Sequence, residues 1–189
     1  MPAPSASAEA SVTLVLGVLE PADRAAVEGV LRATGAFREP EVAVALELFD
    51  DAFAAGGGAG RDPEQYAFTG AFAPAGTREL VGYACWGRTP ETRGTYDLYW
   101  LAVHPDAQGS GVGSALVADV WERVAAIGGR LLVIEASGRA DNAHVRGFYE
   151  RLCGPPAARV RDFYAAGDDR LTYTMRIHRA ATSHGSKPA

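Results

Sequence analysis

Three glycines at alternate positions, Gly109, Gly111 and Gly113, stand between a strand-like run at 96–103 and the first turn of an amphipathic segment. Glycine lets a backbone approach a ligand closely, and the amides that open a helix have no acceptor within it. Together they can hold an anion, a phosphate first of all, without a basic side chain. A phosphate cradle is the first expectation. His104 and His144 could suggest acid–base or metal chemistry, but no third ligand stands at a workable spacing, so solvated histidines and no metal are expected. Cys85 and Cys153 lie far apart and fit no metal-ligand pattern; they read as two reduced thiols in or near a core.

The residues around the glycines narrow whose phosphate this would be. A nucleotide-hydrolysing P-loop needs a lysine and then a serine or threonine after its last glycine, whereas Ser114 and Ala115 follow Gly113. A dinucleotide fold would use Gly109-x-Gly111 before a helix, with Glu135 at the end of the next strand. Its first glycine, however, directly follows the strand. Here residues 104–108 intervene, and Ser114 occupies the third glycine's place. Dinucleotide binding is left a distant alternative.

The elements that must position the cradle follow from composition and periodicity. With 189 residues, 48% hydrophobic and 22% charged, the chain can bury the core of one domain, expected over 11–178. Small, polar stretches at 1–10 and 179–189 read as frayed tails. A net charge of −5 opposes a general nucleic-acid binder. No run is long enough for a membrane helix and the N-terminus lacks the pattern of a secretory signal, so a cytoplasmic protein without membrane or nucleic-acid partners is expected.

A strand at 12–19 precedes a helix opened near Pro21 and closed by Gly35, and a second helix follows Pro40. The glycine-rich 56–60 must be a loop. Strand segments at 66–72 and 80–86 read as a hairpin, then a strand at 95–103 leads into the glycine turn. Leu116, Val120, Val124 and Ile127 give the following helix one buried face, ended by Gly128 and Gly129. A short apolar strand at 131–134, a helix capped by Asp141 or Asn142 and running through Leu152, and strands at 160–164 and 171–177 joined by a turn at 165–169 complete the chain. The order is β-α-α-β-β-β-α-β-α-β-β.

Leu101-Ala102-Val103-His104-Pro105 followed by Gln108-x-x-Gly111-x-Gly113 resembles the acetyl-CoA-binding motif of the GNAT superfamily of N-acetyltransferases. Asn142 and the run Phe148-Tyr149-Glu150-Arg151-Leu152 resemble the family's later helix motif, and the element order is similar too. The resemblance implies an α+β, three-layer fold: a mixed, mostly antiparallel central sheet of about seven strands, about four flanking helices, and a splay between strand 95–103 and strand 131–135. It implies acetyl-CoA as acyl donor. Gln108, Gly109, Ser110, Gly111, Val112, Gly113 and Ser114 would hold the pyrophosphate. Leu101, Ala102 and Val103 would pair with the pantetheine arm like an added strand, and Asn142 and Tyr149 would lie nearby.

Acetyl transfer to an amine needs an ammonium to lose a proton, a thioester oxygen to be stabilised and a thiolate to be protonated. By the same resemblance Tyr149 is the acid. Asp97 and Glu135 are both candidates for the base, and a bulge in the strand would change which of them faces the cleft. The acceptor, a small-molecule or peptide amine, would enter between the first two helices and the last hairpin, near Phe37, Arg38, Trp86, Tyr99, Asp162, Phe163, Tyr164, Asp168 and Asp169. A non-catalytic acyl-CoA-binding sensor on the same fold is the alternative, and exposed edge strands could pair in a homodimer.

Overall fold

A computed structural model describes residues 14–54, 60–73 and 78–177. The expected tails at 1–10 and 179–189, and most of the glycine-rich 56–60 loop, lie outside the described residues. In chain order the elements are β1 (Val15–Val18), α1 (Arg24–Thr34), α2 (Glu39–Phe53), β2 (Ala67–Phe72), β3 (Leu80–Arg88), β4 (Thr95–Val103), α3 (Val112–Ala126), β5 (Leu131–Ser137), α4 (Ala143–Cys153), β6 (Ala158–Ala165) and β7 (Asp168–Arg176). The expected order of strands and helices is the observed one.

The strands form one sheet in the order β1-β2-β3-β4-β5-β7-β6. Every neighbouring pair is antiparallel except β4 with β5. A parallel pair needs a crossover, and α3 supplies it. Helices α1 and α2 cover one face of the sheet, burying Val27, Leu31 and Phe49 with Tyr83 of β3. Helices α3 and α4 cover the other, burying Leu116, Val120 and Val124 with Leu132, Ile134 and Tyr173. The three-layer α+β fold is therefore present. Close seating of α3 depends on Gly82 of β3, where a Cβ would lie 3.0 Å from the Ala102 carbonyl oxygen and 3.1 Å from Val112.

Two irregularities in β4 shape the centre of the sheet. Cys85 pairs with Trp100 and Trp86 with Leu98, so Tyr99 is an extra residue opposite no partner on β3. The bulge reverses side-chain parity along the strand. Tyr96 and Leu98 pack in the α3/α4 layer before it, and Leu101 and Val103 return to that layer after it. Tyr99, Trp100 and Ala102 pack in the α1/α2 layer. The parallel ladder with β5 is also short: it runs from Thr95 opposite Leu131 to Leu98 opposite Ile134 and stops. Beyond that rung the strands separate, as the expected splay requires.

The last hairpin departs from the sequence reading. β7 begins at Asp168, so the expected five-residue turn at 165–169 contracts to Ala166 and Gly167. Adjacent aspartates signal a turn when their carboxylates are solvated. Here Ser137 donates its hydroxyl to Asp168 at 2.5 Å, and Asp169 accepts from the Asp162 amide at 2.9 Å and from Arg159. Both aspartates are buried within the strand.

Candidate active site

The glycine turn and the start of α3 form a bank of free donors. Gly109 and Gly111 have φ of 76° and 89°, the left-handed region that side chains other than glycine resist. A Cβ at either would meet nothing within 4 Å, so conformation, not crowding, requires glycine there. The first intrahelical bond runs from the Ala115 amide to the Gly111 carbonyl at 3.0 Å. The amides of Val112, Gly113 and Ser114 therefore have no acceptor inside α3, and they stand where the helix dipole favours an anion. Gly113 serves packing instead: a Cβ there would be 3.2 Å from the Phe148 ring, so its absence lets α4 lie against the first turn of α3. Two side chains expected at the phosphate tighten the turn from within. Gln108 donates its amide to the Val103 carbonyl at 3.0 Å, and Ser110 donates its hydroxyl to the Ala107 carbonyl at 2.6 Å.

Tyr149 is the buried residue of α4, with its ring centroid 5.1 Å from Phe148 and 5.6 Å from Tyr173. Burial pushes its phenol well above the usual tyrosine value, so the hydroxyl stays protonated and available as a donor. It lies in the α3/α4 layer, behind the splay. Asn142 is the residue that precedes α4, but its side chain makes no capping bond. Gly147 needs no special explanation, since a Cβ there would approach only the Arg151 side chain, at 3.5 Å.

The two acids occupy different parts of the β4–β5 junction. Glu135 and Thr172 face each other across β5 and β7, and Glu135 is the first residue of β5 beyond the last rung with β4. It is exposed, and an Arg170 nitrogen lies 3.3 Å from it. The Arg170 guanidinium in turn sits 4.0 Å over the Phe163 ring. Asp97 lies inside the ladder, opposite Val133, and accepts a 2.7 Å bond from the Thr89 hydroxyl. By strand alternation both acids project away from the layer that holds Leu98, Ile134 and Tyr149. The acids and Tyr149 thus stand on opposite faces of the sheet at its split.

The residues expected around the acceptor divide. Trp86 does not belong with them: it packs in the α3/α4 layer, 6.0 Å from the Tyr96 ring, because the parity of β3 turns it away from α1 and α2. Asp162 and Asp169 hold the β6–β7 hairpin together, and Asp168 ties β7 to Ser137 of β5. Arg38 pairs with Glu41 at 3.1 Å. Phe37 and Trp100, 6.1 Å apart, remain on the α1/α2 side, and Phe163 and Tyr164 are exposed on β6. Sequence reasoning missed Arg170, because Glu135 and Arg170 meet only through the β5–β7 register. It also missed Tyr66, whose ring meets Tyr99 at 5.5 Å and 74°. Burial pushes the Tyr99 phenol up to about 12, with smaller contributions from Asp97 and Tyr66.

The site is thus an open mixed sheet, split beyond its one parallel ladder, with the free amides of a helix start close in sequence after β4. The model of the acetyltransferase (GNAT) family matches residues 33–154. The chain belongs to the GNAT family and is an acyltransferase. A GNAT-family protein from Desulfovibrio desulfuricans is 42% identical, with a TM-score of 0.77 over 88% of this chain and 99% of that one. The ribosomal-protein-S18-alanine N-acetyltransferase of Escherichia coli shares the fold at 22% identity and a TM-score of 0.66, over 90% and 98% of the two chains. So does a Salmonella typhimurium protein solved with its cofactor acetyl-CoA, at 17% identity and a TM-score of 0.65, over 92% and 99%. No match is found among curated proteins.

Proposed function

We propose that this enzyme moves the acetyl group of acetyl-CoA to a primary amine of a small molecule or peptide. The observation that carries the reading is β4 itself: it leaves β5 after Leu98 and runs to Val103, from which the glycine turn leads to the unpaired amides that open α3. A donor with a polyanionic end and an extended amide-bearing arm fits that strand's length, anion at the α3 end and arm along the free edge. Acetyl-CoA supplies the activated acyl group. In this proposal the amides of 109–114 bind phosphate, and backbone groups of Leu101 and Val103 align the arm. The Val103 carbonyl is already engaged by Gln108, which favours the amides of this segment over that carbonyl.

Glu135 takes the proton from the incoming ammonium on the α1/α2 side, and Tyr149 gives a proton to the departing sulfur from the α3/α4 side. Its position past the last rung favours Glu135 over Asp97, which the ladder and Thr89 hold. A cytoplasmic setting, with its supply of acyl-CoA, belongs to the same proposal; among the described residues no helix is long and apolar enough to cross a membrane.

Thermal unfolding with CoA or acetyl-CoA tests the donor, since a ligand bound only by the native state raises Tm. Thiol release across a panel of amines tests the transfer. A donor that leaves Tm unchanged at saturating concentration rejects the proposal.

A further inference from the structure

We propose that the cavity beside the β4 bulge receives the second, non-reacting cationic group of a diamine- or polyamine-type acceptor. The inference rests on the transferase reading and names the class of its acceptor. The cavity has a volume of about 360 Å³ and is walled by Tyr66 and Tyr99, with Asp51, Glu64 and Arg88 at its edge. It is open to solvent on one side, which suits one end of a ligand and not a whole one.

Three features fix the chemistry. First, the Tyr66 and Tyr99 rings meet nearly at right angles, 5.5 Å apart, and form a corner of two aromatic surfaces. Such surfaces attract ammonium groups through their ring quadrupoles. Second, the one cation on the lining is engaged: Arg88 donates to Glu64 at 2.7 Å and to the Thr92 carbonyl at 3.0 Å. Third, Asp51 is exposed at the end of α2 and makes no ion pair among the described residues, so the cavity keeps a carboxylate free for a cationic guest.

Position ties the cavity to the reaction. Tyr99 is the residue inserted by the bulge and the first of β4 beyond the last rung with β5. Glu135 is its counterpart on β5. Both turn to the α1/α2 side, so one end of an acceptor can rest in the cavity while its other amine meets the split. A monoamine would leave the corner of tyrosines empty.

The test measures binding and turnover separately, on the full chain. Calorimetry compares cadaverine with pentylamine, which has the same carbon chain and one charge. Cadaverine should bind at least about tenfold more tightly, a difference of about 1.4 kcal/mol. The variant Asp51→Asn should remove most of that preference while leaving pentylamine affinity unchanged. Tyr66→Phe should keep the preference and Tyr66→Leu should lose it. Equal affinity for the two amines, or a preference that survives both Asp51→Asn and Tyr66→Leu, overturns the proposal. Thiol release with acetyl-CoA then separates the two readings. Acetylation of both amines without preference rejects the cation cavity and keeps the transferase. A cadaverine preference in binding without acetylation overturns the proposal, because the cavity then holds a cation that is not an acceptor.

Discussion

Tyr149 and Glu135 face opposite layers of one sheet, and in the proposed mechanism that arrangement separates proton donation from proton removal. A buried phenol held neutral keeps the proton that a general acid must carry. An exposed carboxylate at the split is suited to taking one from an amine in front of it. Tyr149→Phe should lower kcat by roughly 10²- to 10³-fold, with the Tm increase caused by CoA unchanged. Glu135→Gln should lower kcat far more than Asp97→Asn does; comparable losses from the two variants, read by thiol release, would assign the proton to neither acid alone. The place of Tyr149 on a helix was legible because its motif is local, five residues in one helix. The choice between the acids was not, because it depends on where one ladder stops, and no residue of either strand announces that.

At the scale of elements, the proposed donor site lies at the start of α3. The glycine pattern was readable because left-handed backbone and free helix-opening amides are properties of consecutive residues. Gly111→Ala places a side chain at φ 89° at a cost of about 1–2 kcal/mol, yet into open space. The variant should fold, and its KM for acetyl-CoA should rise with kcat nearly constant. Gly113→Val meets the Phe148 ring and should instead lower Tm as well as affinity, because α4 must move. The splay was anticipated from family resemblance, not from the residues of β4, whose apolar run 98–103 looks like an unbroken strand. The turn at 165–169 was misread for a related reason. Asp168 and Asp169 have turn chemistry in isolation and strand positions once Ser137, Arg159 and Asp162 supply partners.

Across the whole molecule, the buried phenols act with the Cys85 and Cys153 thiols, which burial also pushes up, in the response to alkaline pH. Burial pushes the phenols of Tyr83, Tyr149 and Tyr173 above their ordinary value and that of Tyr99 up to about 12. A raised native value means the folded protein keeps protons that the unfolded chain gives up. Stability from these groups is complete below about pH 10, the unfolded value, and is lost as pH rises through the native values. Tm should therefore fall with increasing slope above about pH 10, and Tyr149→Phe should flatten that fall. A Tm that stays level while absorbance reports tyrosine ionisation would contradict the sign.

The short ladder between β4 and β5 has a mechanical consequence. Among the described residues, four rungs, from Thr95 opposite Leu131 to Leu98 opposite Ile134, join a four-stranded half-sheet to a three-stranded one. The two halves can flex about that seam like leaves of a book, and a guest along the free edge of β4 would act as the missing rungs. Amide hydrogens at 99–103 that point away from β3 should then exchange quickly in the free enzyme and slowly with acetyl-CoA bound, while those shared by β2 and β3 exchange at the same slow rate in both.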